Sequence, residues 1–262
     1  MSTSHDQYLK FVSNELIDEV LNFHAKGNYV IHPATQHLST LHHVPAADLA
    51  TLSGNELSLH PLPSCSDNPS LAPQPLPHHH PLRRNDSCND FKASRINFET
   101  TKAILAPLLR KDSSSKRGYP SGGALYPVEV FCVNLNNRVE GWPKVPSALH
   151  LLANSRTLEV HSQTIDAHKL SSAIIGSSTQ IGSPALALVY YIYLPKALFK
   201  YRQRGYRLAL MEAGSMYMLT DLRCKELGLN SRPWAAFTDH QVTKQLNLNP
   251  TLFLSTCIQL IG

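Results

Sequence analysis

Apolar residues recur with helical spacing at four places along the chain. They repeat every three or four positions in residues 7–25, 100–110, 165–175 and 206–227, which is the spacing of one face of an α-helix. The last segment shows the pattern most clearly, and Gly228 follows it as a stop signal. Its repeating positions are Leu208, Met211, Ser215, Met218 and Leu222. We therefore predict four helices, of which the last is long and amphipathic.

Three other segments have the composition of strands. Residues 128–135 are rich in β-branched and aromatic side chains, and residues 252–261 are similar. Residues 185–194 are nearly all apolar, which is typical of a strand buried on both faces. Because strands and helices are mixed without a regular alternation, the pattern predicts an α+β fold.

Residues 61–90 differ from the rest of the chain. Seven of the 18 prolines lie between Pro61 and Pro81, and the stretch contains no glycine. Proline fixes φ and lacks a backbone donor, so the stretch is predicted to be extended and exposed, as a linker or peptide-facing arm. It separates a helical accessory segment, residues 1–60, from a main domain, residues 91–262. The histidines at 78–80 favour a solvated loop over a metal site, because adjacent side chains diverge in extended chain.

Composition excludes several classes of protein. The net charge of +5 is too small and too scattered to indicate nucleic-acid binding. No apolar run approaches about 18 residues, so no membrane span is predicted, and the N-terminus lacks the apolar run of a signal peptide. The five cysteines are odd in number and form no CxxC pair, which argues against a disulfide scaffold and a structural zinc site. We expect a cytoplasmic protein.

A glycine-containing turn precedes the strand at 128–135, with the sequence RGYPSGGALYP at residues 117–127. Gly122 and Gly123 would let the backbone approach a flat or anionic ligand, and Ser121 adds a hydroxyl. A tight structural turn is the alternative interpretation, since glycine and proline mark turns of many kinds. The segment lacks the lysine and the spacing of a phosphate-binding P-loop.

A basic run occupies residues 196–207, with five basic residues and two tyrosines in twelve positions. It follows the most apolar strand and leads into the long helix, whose N-terminal amides favour an anion such as a phosphate. Lys200 and Tyr201 are candidates for proton transfer, because burial beside other cations would lower the pKa of both groups. The alternative is a solvated basic turn.

Two further segments are less specific. In the long helix, Gly214 is expected to allow close packing, and Glu212 is expected to have a structural role. The loop at 232–239 has small residues beside Trp234, which would let backbone amides reach a ring. The alternative is that Trp234 and Phe237 are ordinary core residues.

These motifs, in this order and at this spacing, resemble one family. The sequences PSGGALYP-VEVF, ALFKYR-RGYR-ALME-GSMY and a tryptophan-containing loop ending in Thr-Asp are similar to those of the flavin-dependent azoline dehydrogenases of thiazole/oxazole-modified peptide biosynthesis. Within this branch of the nitroreductase superfamily, the resemblance is strongest to the dehydrogenase subunit of microcin-type synthetases. It covers residues 90–262 well, extends to the NFHAKGN stretch, and is weakest over residues 61–90.

The resemblance implies a nitroreductase-like α+β sandwich, with a central mixed or antiparallel sheet flanked by helices. It implies a homodimer with FMN at the subunit interface. The implied reaction is oxidation of thiazolines and oxazolines to azoles on a ribosomally made precursor peptide, giving a microcin-like antibacterial peptide. The implied partners are a cyclodehydratase subunit and a leader-peptide-binding scaffold subunit that resembles ubiquitin-activating enzymes.

The resemblance also implies roles for individual residues. Lys200 and Tyr201 match a lysine–tyrosine pair associated with proton removal, and either residue is a candidate base. Main-chain groups near Ala235 and Ala236 would approach the hydride-accepting nitrogen of the flavin. The remaining candidate flavin contacts are Ser94, Arg117, Ser121, Gly122, Gly123, Arg204 and Arg207. Ser94 has the least support, because residues 92–95 read Lys-Ala-Ser-Arg where the family usually has Arg-Arg-Ser-x-Arg.

Two other functions remain open from the sequence. An NAD(P)H-dependent nitro or quinone reductase would share the fold and FMN, although such an enzyme needs no base for a carbon acid. A flavin-less scaffold subunit of the same assembly would keep only the surface of the fold.

Overall fold

The computed structural model describes residues 6–28, 75–112, 114–143, 148–162, 165–176 and 181–262, together with Pro45, Ala47 and Asp48. Residues 1–31 and 78–262 form one compact unit, and residues 32–77 form a second. The predicted short elements between residues 29 and 60, apart from those three residues, lie outside the described residues, as does the first half of the predicted linker. The elements below all belong to the first unit.

An antiparallel sheet of six strands forms the centre of this unit. Its strand order is β5-β4-β2-β6-β8-β7, and every neighbouring pair is antiparallel. β1 and β3 form a separate parallel ladder of two residues each. The strands are β1 Ile96–Asn97, β2 Val128–Asn134, β3 Val139–Glu140, β4 Ala148–Leu152, β5 Thr157–Ser162, β6 Leu186–Tyr193, β7 Ser231–Trp234 and β8 Phe253–Ile261.

Seven helices are described around the sheet. Three of them begin at a polar side chain that accepts a hydrogen bond from the first turn: Ser13, Asn97 and Asp166. The cap at Ser13 explains why the predicted helix at 7–25 is two helices. The helices are α1 Asp6–Leu9, α2 Asn14–Ala25, α3 Phe98–Leu105, α4 Ala167–Ile174, α5 Leu194–Tyr201, α6 Gln203–Glu226 and α7 Asp239–Gln245.

Strand β6 separates two hydrophobic cores, and all eight of its residues are buried. Leu188, Tyr190 and Ile192 face a core shared with α5 and α6, whereas Val189 and Tyr191 face a core shared with α4 and α7. The two tyrosine hydroxyls are not left unpaired, since each bonds a polar side chain on its own side of the sheet. The α+β sandwich is therefore confirmed, with an antiparallel central sheet.

Two features of the sequence prediction are corrected. The alternative interpretation of the basic run as a solvated turn is wrong, because residues 194–201 form helix α5, with Pro195 in its first turn. The long helix is confirmed as α6, but its apolar stripe is not its buried face. Met211 is 64% exposed, and the other four stripe residues are only half-buried. The buried positions are Gly205, Ala209, Glu212, Ala213, Met216, Thr220, Asp221 and Cys224.

The second half of the predicted linker is attached to α6. Residues 75–90 contain no helix or strand. Lys225 Nζ donates to the carbonyl oxygens of His78, His80 and Arg83, and Arg84 Nε pairs with Asp221 at 2.7 Å. Within the described part of the chain there is no cluster of metal-ligating side chains and no helix long and apolar enough to cross a membrane.

Candidate active site

The turn that precedes β2 has a strained backbone. Gly123, Ala124 and Tyr126 have φ values of +63°, +56° and +52°, a region that costs a non-glycine residue about 1–2 kcal/mol. Side chains within the turn hold this shape: Ser121 Oγ accepts the Tyr126 amide at 2.8 Å, and the Tyr126 hydroxyl accepts the Arg117 amide at 3.1 Å. Such strain persists only where the surroundings fix it, and it is common at functional sites.

The lysine–tyrosine pair ends helix α5. Lys200 is exposed and Tyr201 is half-buried, so the prediction that both are buried beside other cations is wrong for the single chain. The reason is local: α5 has only eight residues, and its last turn reaches the surface. Lys200 Nζ lies 5.3 Å from the centre of the Tyr201 ring. Arg202, which follows directly, has φ +52° and joins α5 to α6 with a sharp change of direction.

The structure brings the glycine turn and the lysine–tyrosine pair together. A β-carbon placed on Gly123 would lie 2.7 Å from the Tyr201 hydroxyl oxygen and 3.2 Å from Lys200 Nζ. A side chain at this position would have to displace the ends of both side chains, and the positive φ would strain any residue other than glycine. At Gly122 the neighbour is different, because a β-carbon there would lie 2.8 Å from Leu208 Cδ1 on α6.

Glu212 lies behind the turn, and the sequence analysis gave it only a structural role. Its Oε1 accepts the Val128 amide at 3.2 Å, and the residue is 2% exposed. Burial raises its pKa to about 7, against opposing hydrogen bonds from Ser121 and Val128 and the charges of Arg117 and Lys196. Glu212, Gly122 and Tyr201 line one small crevice. The spacing along the sequence could have indicated that Glu212 is buried, because residues 205, 209, 212 and 216 lie on one face of the helix and all four are buried.

The predicted basic ligands are in different surroundings. Arg117 is buried: its Nη1 donates to the Tyr119 hydroxyl at 2.8 Å, and its guanidinium lies 4.5 Å from the centre of the Tyr126 ring. Arg204 and Arg207 are exposed on the first turns of α6, and within the described residues neither forms a salt bridge. Ser94 is exposed in the segment before β1.

The segment 232–239, predicted as a loop, is only partly a loop, because β7 extends to Trp234 and α7 begins at Asp239. Trp234 is buried and donates from Nε1 to the Ile174 carbonyl at 2.7 Å, and Phe237 is also buried, so the core interpretation of both is confirmed. Ala235 is exposed and Ala236 half-buried. Ala235 lines a cavity of about 380 Å³ with His24 and Tyr206, whose side chains share a hydrogen bond of 3.0 Å.

The two predicted flavin-contacting segments therefore line different cavities. Tyr206 and Leu210, which border the Ala235 cavity, lie on one face of α6. Leu208 and Glu212, which border the crevice behind the turn, lie on the other face. Of these two cavities, which are both formed by described residues, neither is lined by the glycine turn and the Ala235 loop together.

Comparison with known proteins identifies the fold family. The model of the family described as "Nitroreductase family" matches residues 82–262, which is more than half of the chain. The chain belongs to the nitroreductase family. The match begins inside the predicted linker, at the segment that Lys225 and Arg84 attach to α6.

This nitroreductase-family chain has a relative of known pathway. It is 34% identical over 255 residues to the microcin B17-processing protein McbC of Escherichia coli, covering 96% of this chain and 92% of that protein. A solved structure of the E. coli microcin synthetase McbBCD complex with truncated pro-MccB17 bound matches with a TM-score of 0.85 and 32% identity, over 100% of this chain and 97% of that chain. The chain is thus a homologue of McbC.

A more distant structure shows the fold alone. A putative nitroreductase from Ralstonia eutropha matches with a TM-score of 0.58 and 15% identity, over 74% of this chain and 86% of that chain. Members of the nitroreductase family typically bind flavin. The residues here are compatible with such a group, because the turn presents glycine backbone, which a flat ring can approach closely, next to the ends of the Tyr201 and Lys200 side chains.

Proposed function

We propose that this chain is an FMN-dependent azoline dehydrogenase, which oxidises thiazolines and oxazolines to thiazoles and oxazoles on a ribosomally made precursor peptide. The observation that carries the proposal is the juxtaposition of Gly123 with the Tyr201 hydroxyl and Lys200 Nζ. It puts two proton-transferring groups beside a backbone surface suited to a flat ring. Homology to McbC supports the substrate class.

Azoline oxidation removes two hydrogens from adjacent ring carbons, one as a proton and one as a hydride. Bound flavin would supply the hydride acceptor, which no side chain of the protein can replace. The protein must place the ring and accept the proton. We assign this role to Lys200 and Tyr201, since both side chains end beside Gly123. In this proposal either residue is the base, and the other residue of the pair favours the deprotonated form of that base.

Other parts of the site would hold the cofactor. The Ser121–Gly123 turn would contact the flavin ring, with Ser121 also fixing the turn through the Tyr126 amide. Arg204 and Arg207 are exposed cations near the N-terminus of α6, which suits a phosphate. Arg117, being buried, would act from beneath the turn through its charge, and Ser94 is the weakest candidate.

A homodimer would bring the two cavities together. FMN at the interface could then contact the glycine turn of one protomer and the backbone at Ala235 and Ala236 of its partner. The outward stripe of α6 supports this arrangement, since Met211 is 64% exposed and Phe23 of the adjacent α2 is 69% exposed. Large apolar side chains grouped on a surface commonly mark an interface.

Homology to McbC also suggests the assembly in which the chain would act. The relative's complex structure contains McbB, McbC and McbD with a truncated pro-peptide. We propose that this chain works with a cyclodehydratase subunit, which supplies azolines, and with a leader-peptide-binding scaffold subunit. The product would be a microcin-like antibacterial peptide.

Mass spectrometry of a precursor peptide tests this function. The peptide is treated with the cyclodehydratase and scaffold subunits, with and without this chain. The chain should remove two further hydrogens per ring, and the purified protein should be yellow. Unchanged peptide mass with rapid turnover of quinones by NADPH would favour a nitro or quinone reductase. Unchanged mass with a colourless protein that takes up no FMN would favour a scaffold subunit.

A further inference from the structure

Glu212 is a buried carboxyl group next to the glycine turn that is proposed to contact flavin. It lies on the buried face of α6, directly under the glycine turn, with Gly122 and Tyr201 lining the same crevice. Neither Lys200 nor Tyr201 depends on it in the chemistry proposed above. Its other carboxyl oxygen, Oε2, is also buried, and the Ser121 hydroxyl is close enough to the carboxyl group to lower its pKa by hydrogen bonding. Burying a carboxyl group is costly unless its oxygens are hydrogen-bonded, so its presence here calls for a physical reason.

The contact at Oε1 supplies that reason. It accepts the amide of Val128, the residue at which the strained turn ends and β2 begins. Pro127 and Val128 also mark where the chain joins the sheet, since the Pro127 carbonyl accepts the Tyr193 amide at 2.9 Å. Glu212 therefore connects the long helix to the end of the turn. Ser121 fixes the turn from within, and Glu212 fixes it from outside.

We propose that Glu212 is the positioning residue of the flavin-facing turn, holding residues 121–128 so that Gly123 faces the Lys200–Tyr201 pair. The proposal rests on the proposed function, because it assumes that the turn contacts flavin. Removing the acceptor would release the Val128 amide and let Ala124 and Tyr126 relax from their positive φ values. The turn would then lose the shape that leaves room for the ring.

Ionisation of Glu212 should change how firmly the turn is held. A carboxylate is a stronger acceptor than a neutral carboxyl group, and burial sets the pKa of Glu212 at about 7. The groups facing it are Ser121 and Val128 in the turn and strand, Arg117 and Tyr119 before the turn, and Lys196 and Tyr201 on α5. Of these, the two cations favour the ionised form.

The test measures FMN binding to the apoprotein by quenching of flavin fluorescence, so it requires no turnover. Glu212→Gln keeps an acceptor oxygen but cannot ionise, and Glu212→Leu keeps the volume but removes the acceptor. We expect the glutamine variant to bind FMN within about threefold of the wild type near pH 6, and the leucine variant to bind about tenfold more weakly. Glu226→Gln, on the exposed end of the same helix, should bind as the wild type does.

The pH dependence separates positioning from general loss of structure. Between about pH 6 and about pH 8.5, the affinity of the wild type should rise relative to that of Glu212→Gln, because only the wild type gains a carboxylate there. Parallel pH profiles for the two proteins would overturn the proposal, as would wild-type affinity in Glu212→Leu or equal weakening in both variants. If Glu212→Leu does not fold, the profile of Glu212→Gln decides. A wild-type protein that binds no FMN at any pH would instead contradict the proposed function.

Discussion

The central feature at the scale of single residues is a glycine that faces the Tyr201 hydroxyl and Lys200 Nζ, the two groups proposed to transfer a proton. A β-carbon at Gly123 would lie within 2.7 Å of the Tyr201 hydroxyl oxygen, so the Tyr201 side chain would have to move. The requirement for glycine comes mainly from the positive φ. Gly122, its neighbour, is required for a different reason: it allows Leu208 of α6 to pack against the turn. The two glycines therefore have separate roles, which substitutions should distinguish.

Gly122→Val should both destabilise the protein and release FMN. The new side chain would push Leu208 and α6 away from the turn, at a cost of about 1–3 kcal/mol, and displacement of the turn would disturb the flavin surface. Urea unfolding and the flavin absorbance of the purified protein measure the two effects. In the control Gly214→Ala, the β-carbon would have its nearest described neighbour 3.9 Å away. That variant should retain FMN and gain up to about 1 kcal/mol; a yellow Gly122→Val protein would contradict the prediction.

Glu212 should make stability depend on pH. Its folded-state pKa of about 7 lies above the ordinary value of 4.5, so its contribution to stability is complete below pH 4.5 and is lost as the pH rises through about 7. Glu212→Gln cannot ionise, and its free energy of unfolding should rise relative to the wild type by up to about 3 kcal/mol across that range. Urea unfolding at about pH 5 and about pH 8.5 gives the difference. A difference that is the same at both pH values would refute the raised pKa.

The sequence predicted some of these site residues and not others. Lys200, Tyr201 and the glycine turn were found because they belong to motifs. The structural role expected for Glu212 agrees with its buried bond to the Val128 amide. Its contact with the glycine turn could not be predicted, because the sequence does not show which residues face a buried acid. Gly214 was expected to allow close packing, but the glycine that does so is Gly205, whose β-carbon would collide with the Ala197 carbonyl of α5.

At the scale of elements, pattern length decided what could be predicted. Strand β6 and helix α6 are long and strongly periodic, and both were predicted correctly. The hairpin of β4 and β5 was missed, because its strands are short and carry polar residues such as His150 and Glu159 that pair with each other. Helix α5 was missed because its eight residues overlap a basic run that suggested a turn.

The contact between the arm and α6 should contribute to stability. Asp221 is 4% exposed, and its partner Arg84 comes from residues 75–90. Arg84→Ala would leave the carboxylate buried without its cation, which should lower the free energy of unfolding by about 1–3 kcal/mol. Arg95→Ala removes an exposed pair with Glu140 and should cost less than about 1 kcal/mol. Equal effects of the two variants in urea unfolding would show that the arm is not anchored in this way.

At the scale of the whole molecule, the two segments that are proposed to contact flavin line two different cavities among the described residues of one chain. The apolar stripe of α6 predicts the helix correctly, but a single chain leaves this stripe partly exposed. If a second copy packs against the stripe, the two segments from different protomers can lie next to one flavin. Sequence alone could not assign that face, because a stripe buried by the chain's own core and a stripe buried by a second copy have the same spacing.

A charge on this stripe should separate the proposed dimer. Met211→Glu places a carboxylate at the centre of the exposed face, and burying an unpaired charge in an apolar interface is strongly unfavourable. Sedimentation analysis should show a monomer that has lost FMN. Leu82→Glu changes an equally exposed apolar residue outside α6 and should leave the dimer intact. A dimeric, yellow Met211→Glu protein would show that the interface lies elsewhere.

The central claim, that Lys200 and Tyr201 act on a ring held at the glycine turn, is tested most directly by anaerobic mixing of the FMN-loaded protein with an azoline-containing peptide. The absorbance of oxidised flavin should disappear with the wild type as two electrons leave the ring. It should persist with Tyr201→Phe and Lys200→Ala, although both bind FMN, since loss of a positioned base slows such a step by about 10²–10⁴-fold. Bleaching at the wild-type rate in both variants would contradict the account.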